Sequence, residues 1–287
     1  MKKYKICKIL LVILAIFLCV AFYELIGICV AYKKQPEVSN TTKKETKNGS
    51  WNECSENTER AVIIEKNPEA LLQRVRLIKN AKKEIILSTF AFQSDESGKL
   101  ILGALHDAAD RGVHIRLLVD GMESWIDMEG NPYFYGLSSH ENVEIKLYNK
   151  ANPLKPWKMM GRMHDKYLIA DGKRYILGGR NTYNYFLGDF PGHKNYDRDV
   201  LVVCDEPEKE NSVNQLLEYF ETIWEQEDSG YFHDNKKLAN RKSVKNAVLE
   251  LQNGYQKYFE ENKERICDTD YTDETFETEK IALVSNP

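Results

Sequence analysis

The sequence predicts an α/β lobe, a mixed sheet flanked by helices, set behind an N-terminal transmembrane helix. Three observations lead there. Residues 9–32 form an apolar run broken by a single charge, Glu24. From about residue 60, short β-prone runs alternate with amphipathic helical stretches, the pattern of strands joined through helices. The 287 residues, 42% apolar and 29% charged, are enough for a buried core and exclude a disordered chain, a collagen or a disulfide-built scaffold.

Residues 1–8 form a basic flank, with Lys2, Lys3, Lys5 and Lys8. As a helix, residues 9–32 would reach about 36 Å, against a hydrocarbon core of about 30 Å. Tyr23 and Tyr32 are suited to interfacial positions. A cleaved secretory signal fits less well, because the run is long and no small-x-small site follows it. A single-pass protein of the cell membrane is expected, with its main domain outside the cytoplasm. Lysines follow the run as well as precede it, so the positive-inside count does not itself fix the orientation. Residues 33–59 are polar and read as a flexible linker. Six widely spaced cysteines form no CxxC or Cys/His pattern, so no metal is expected. A disulfide among Cys54, Cys204 and Cys267 and plain buried thiols both fit.

A lobe is expected over 60–230. Ala61–Glu65 reads as a strand, followed by a helix capped by Asn67 with Pro68 at its first position. Strands are expected at Glu84–Phe90, Val113–Val119, Val143–Tyr148, Met163–Ala170, Tyr175–Leu177 and Val200–Val203, with a helix over 97–111. Ser212 and Gln215 form a candidate capping box for a helix with an apolar stripe of Val213, Leu216, Leu217, Phe220, Ile223 and Trp224. Residues 231–287 read as a helical extension, striped by Val244, Val248, Leu251, Tyr255 and Phe259. Both stripes read as core-packing faces. The extension ends in IALVSNP, which parallels VIIEKNP at 62–68. Both run from an apolar stretch into Asn-Pro, as if a second lobe were beginning.

The charge distribution narrows the function. The net charge is −4, but residues 1–34 carry six lysines against Glu24, a net of +5, leaving −9 on the rest. An acidic domain is a poor general binder of nucleic acid. Within it, residues 150–180 hold eight Lys and Arg against Asp165 and Asp171, a local field that would draw an anionic group.

Overlapping that segment is HDKYLIADGKRYILGGRN at 164–181. His164, Lys166 and Asp171 fit HxKxxxxD, and Gly178, Gly179 and Asn181 fit GGxN. On one strand, residues two apart share a face. A neutral imidazole beside an ammonium suits attack on a phosphodiester: the imidazole is nucleophile or proton carrier, and the lysine neutralises nonbridging oxygens. The glycines admit a close backbone, so that Asn181 can donate to the same phosphoryl group.

With Tyr185-Phe186 and Asp197-Arg198-Asp199 downstream, this segment resembles the phospholipase D superfamily, and more closely the first half of a bacterial cardiolipin synthase, over about residues 60–225. The resemblance implies two motifs per site, one histidine forming a phosphohistidine and the other protonating the leaving alcohol, without metal or other cofactor. It implies that His164, Lys166, Gly179 and Asn181 meet the phosphate and that Asp199 orients the histidine. Asp171 matches the motif's aspartate, usually a structural residue. The expected substrate is a phospholipid with an anionic headgroup, turned over by hydrolysis or phosphatidyl transfer.

The sequence departs from that pattern in one respect. None of His106, His114, His140, His193 and His233 has a lysine two positions later. One chain supplies one motif, so the second is expected from another copy or a second-lobe partner. A truncated, inactive half-enzyme is one alternative. A nuclease is the other.

Overall fold

A computed structural model describes residues 2–33, 43, 59–152, 154–158, 160–204, 206, 211–233, 235–278 and 281–283. The expected linker therefore lies almost wholly outside the described residues, as do Cys54 and the final Ser-Asn-Pro. The apolar run lies in helix α1 (Lys2–Lys33), which is long and apolar enough to cross a membrane.

The lobe contains strands β1 (Glu59–Ile64), β2 (Glu84–Thr89), β3 (His114–Asp120), β4 (Val143–Tyr148), β5 (Lys166–Ala170), β6 (Arg174–Gly178), β7 (Asp199–Cys204), β8 (Ser229–Tyr231) and β9 (Phe276–Thr278). They form one sheet in the order β8-β4-β3-β2-β5-β6-β7-β1-β9. Strands β2, β3 and β4 are parallel, and every other pairing is antiparallel. The mixed sheet is as expected. The C-terminal ends of β2, β3, β4 and β6 and the N-terminal ends of β5 and β7 consequently meet along one edge.

Strand alternation divides the core between two faces. On one, Ile85, Leu87, Ile115, Leu117, Leu168 and Leu201 pack under α2 (Asn67–Asn80), α3 (Glu96–Asp110), α5 (Pro132–Ser138) and α7 (Lys242–Glu261). On the other, Ile86, Leu118, Tyr167, Ile169 and Val202 meet the apolar stripe of α6 (Ser212–Trp224). Both stripes are core faces, as their spacing implied. A short helix α4 (Gly121–Asp127) follows β3, and α8 (Lys263–Cys267) follows α7.

The segment after residue 230 is more than an extension. Phe232, Val244, Leu251, Tyr255, Phe259 and Ile266 join the main core. Strand β9 pairs with β1 at one sheet edge, while β8 closes the other against β4. Ile281–Leu283 is not a strand in the structure. Ile281 and Leu283 lie against the α6-side core, and the Leu283 N–H donates to Gln215 Oε1.

Both expected helix caps are displaced by one residue. Lys66, not Asn67, is the N-cap of α2. Asn67 is buried inside the first turn, where its amide donates to the Asn195 carbonyl and accepts from Arg180. On α6, Asn211 is the cap and accepts from the Asn214 N–H. Ser212 instead bonds Glu59 and Tyr175 in the core. In both places a buried tertiary partner takes the polar side chain that local capping would have used.

Candidate active site

The strand carrying the motif begins later than expected. Residues 163–165 lie outside β5, whose pairing with β2 ends at Thr89 opposite Lys166. Asp120, buried at the end of β3, draws the preceding segment off the sheet. Its carboxylate accepts Arg162 Nε and Nη2, at 3.0 and 2.7 Å, and the Met163 N–H at 3.1 Å. It also caps α4 through the N–H groups of Met122 and Glu123. Met163 anchors the segment below, with its sulfur 3.4 Å from Ser88 Oγ. His164 therefore stands exposed at the sheet edge.

Lys166 is buried, and its Nζ donates to the His164 carbonyl at 2.6 Å. Phe90, just past β2, is the apolar wall between them. The His164 ring meets it edge-on at 4.7 Å, and the Arg162 and Lys166 cations lie 5.1 and 5.4 Å from its centre. Burial and the Lys166 charge lower the His164 pKa, against the opposing pull of Asp165 and Asp120. The imidazole thus stays neutral, the form that can attack, to a lower pH than a free histidine. Burial also lowers the Lys166 pKa, opposed by Asp165 and Asp197. Asp165, bonded by the Tyr219 hydroxyl at 2.9 Å, has its own pKa raised by burial.

The glycine turn brings the last elements in. A Cβ on Gly179 would lie 2.1 Å from Asp197 Oδ2, and one on Gly178 would lie 2.1 Å from Asp199 Oδ1. Only glycines admit these carboxylates. Asn181 is buried, and its carbonyl oxygen accepts the Ala91 N–H at 3.2 Å. Its amide nitrogen carries the donors of the side chain.

Two residues of the expected set lie elsewhere. Asp199 points under α2, where Arg74 and Arg180 bond its Oδ2 at 2.9 and 3.2 Å. All three side chains are buried. It serves a buried ionic cluster and makes no hydrogen bond to His164. Asp197, two residues earlier in the sequence, lies against Gly179, and its charge, after that of Asp165, opposes the lowering of the Lys166 pKa. Asp171 lies at the far end of β5, about 16 Å away at some 3.3 Å per residue. There it accepts the N–H groups of Lys82, Lys83 and Glu84. The expected basic patch is also divided. Arg162 pairs with Asp120, Lys158 with Asp228 and Arg180 with Asp199, while Lys173 and Arg174 flank the distant hairpin turn. Arg162 and Lys166 are the cations of this patch that lie against Phe90 beside His164.

An exposed imidazole, a buried ammonium and a glycine turn lie along one edge of a mixed α/β sheet. Residues 74–224 match the model of the cardiolipin synthase, PLD-like domain family, and the chain belongs to that family. An uncharacterized protein of Helicobacter pylori is 30% identical over 212 residues, 69% of this chain and 39% of its own length. Cardiolipin synthase C of Escherichia coli is 29% identical over 171 residues, 55% of this chain and 34% of that protein. The chain thus spans roughly two fifths or less of these relatives. Among solved structures, the phosphatidylserine synthase of Haemophilus influenzae aligns with TM-score 0.49 at 17% identity, over 77% of this chain and 48% of that one. NucT of Helicobacter pylori aligns at 0.47 and 17%, over 61% of this chain and 99% of that one.

Proposed function

We propose that the protein is a membrane-anchored phosphodiesterase or phosphatidyl transferase acting on phospholipids, working through a phosphohistidine at His164. The supporting observation is the exposed His164 imidazole held against Phe90, with the Lys166 ammonium buried behind it and the Asn181 amide framed by the glycine turn. One imidazole nitrogen attacks the phosphorus, and the bond from phosphorus to the leaving alcohol oxygen breaks. A second histidine, from the motif of another copy, gives that oxygen its proton. Water or an incoming alcohol then attacks phosphorus, returns a proton to the second histidine and releases His164. Lys166 and the Asn181 amide neutralise the nonbridging oxygens throughout. Asp165 and Asp197 are the carboxylates whose charges act on Lys166. The helix α1 holds this site at the lipid surface, with the lobe on the extracytoplasmic side.

The test is turnover of phosphatidylglycerol vesicles by the purified full chain, with acid-quenched protein probed for a phosphohistidine adduct. Turnover and adduct are expected in the wild type and neither in His164→Ala. Equal turnover by the variant would overturn the assignment. Cleavage of single-stranded DNA in preference to lipid would make the protein a nuclease.

A further inference from the structure

Helix α1 is not clear of the lobe along its whole length. From Tyr4 to Phe22 its residues are exposed, whereas Glu24, Gly27, Ile28 and Ala31 are wholly or partly covered. These four fall on one helical stripe. The covering surface is the loop after β4. The Tyr23 hydroxyl donates to the Leu154 carbonyl at 3.0 Å. A Cβ on Gly27 would lie 2.5 Å from Pro156, so the glycine is what allows the loop to approach. An apolar cavity of about 570 Å³ separates Glu24 and Ile28 from Met122, Trp125, Leu147 and Lys150.

This contact sets a depth. The apolar part of α1 that is free of the lobe, residues 9–22, measures about 21 Å. A hydrocarbon core needs about 30 Å. The missing length lies in the turns that touch the lobe, so the touching loops must share the membrane's outer layer. Their surface is built for it. Around this contact Trp125 is 65% exposed, Ile126 68%, Leu154 78%, Trp157 45% and Met160 53%, with Lys155 exposed among them. Soluble surfaces rarely group such residues. Indole rings with a neighbouring lysine are the composition of a membrane interface.

We propose that α4 together with Leu154, Trp157 and Met160 of the loop after β4 forms a membrane-docking surface whose apolar tips enter the leaflet beside α1 and set the mouth of the His164 site at headgroup depth. The occupant is the lipid leaflet itself. The proposal rests on α1 as the membrane anchor and deepens that assignment: it makes the lobe a second point of membrane contact and fixes which edge of the sheet faces the lipid. Since Asp120 both caps α4 and tethers the segment carrying His164, the docked rim and the nucleophile share one support.

The experiment reconstitutes the full chain into phosphatidylcholine–phosphatidylglycerol vesicles in which part of the phosphatidylcholine is brominated at acyl carbons, and reads tryptophan emission after flotation. Bromine-dependent quenching is expected in the wild type and equally in His164→Ala, so the readout does not depend on turnover. It should fall by roughly half or more in Trp125→Phe/Trp157→Phe, because interfacial indoles lie within reach of such quenchers. Floated protein with the same quenching in the double variant would overturn the docking surface and leave the anchor standing. Failure to float would overturn both. Leu154→Glu/Met160→Glu should retain any self-association. Its loss, in protein showing no quenching, would make the rim a contact between copies and overturn the lipid assignment.

Discussion

The two ends of β5 carry parts of one linear motif and do opposite work. At the Lys166 end, groups are held out of balance with their surroundings: a histidine exposed on an aromatic edge, a lysine buried without a direct carboxylate contact, both with lowered pKa values. At the Asp171 end, three backbone N–H groups converge on one carboxylate, and Asp171 itself takes a left-handed conformation, φ 54°, to close the turn. Functional sites concentrate perturbed groups and scaffolds satisfy theirs. A fixed spacing in sequence can thus measure the length of a strand as well as the size of a site.

The largest expected effect breaks the chemical end alone. His164→Ala should lower phospholipid turnover by about 10³-fold or more, with thermal stability unchanged, since the side chain is exposed. A large loss of melting temperature would mean that His164 serves the fold. The two neighbouring aspartates come next. Asp199→Asn leaves Arg74 and Arg180 buried beside a neutral amide. Breaking such a cluster costs about 3–5 kcal/mol, read by denaturant unfolding. Asp197→Asn, half-buried at the mouth, should lower turnover and leave unfolding nearly unchanged. If the two variants exchange these phenotypes, Asp199 regains the role of orienting the histidine.

Much of this contrast could be read from the residues. The strands from β2 to β7 follow their hydrophobic runs, and the helices α3, α6 and α7 follow their stripes. Within the motif, the closeness of His164 and Lys166 at the start of β5 and the tight approach of the glycine turn were legible, because both follow from residue types at short range. Phe90 and Asp120 were not, and Arg162 showed only as one charge of the basic patch. Arg162 meets Asp120 from 42 positions away, and nothing local marks either one. Asp197 and Asp199 are two residues apart in an extended segment, so parity puts both on one side. Arg74, which α2 supplies from 125 positions away, and Arg180 make Asp199 the core carboxylate of the two. The three-residue strands β8 and β9 were invisible for a related reason: their pairing partners, rather than their own composition, make them strands.

The scaffold end should respond to mutation with a smaller, purely structural effect. Asp171→Ala removes an acceptor shared by three N–H groups and places alanine at positive φ. A loss of about 1–3 kcal/mol is expected, with the folded fraction retaining its turnover. Loss of turnover at full stability would return Asp171 to the site despite its distance along β5.

The smallest effect tests whether the chemical end is one unit. Burial and the Lys166 ammonium both disfavour the imidazolium of His164, so its pKa falls below the ordinary 6.5. A lowered pKa means that at a given pH more of the imidazole is neutral, and the acid limb of the rate profile moves to lower pH. Lys166→Met removes the charge but keeps the apolar stem. The His164 midpoint, followed by the NMR shift of its ring protons, should then rise toward 6.5, leaving less neutral imidazole in mildly acidic buffer. Asp165→Asn removes an opposing charge and should move the midpoint further down. The two variants therefore have opposite signs, which general loosening of the segment would not produce. If Lys166→Met leaves the midpoint in place, the ammonium and the imidazole do not sense each other, and they cannot be acting on one phosphoryl group as a pair.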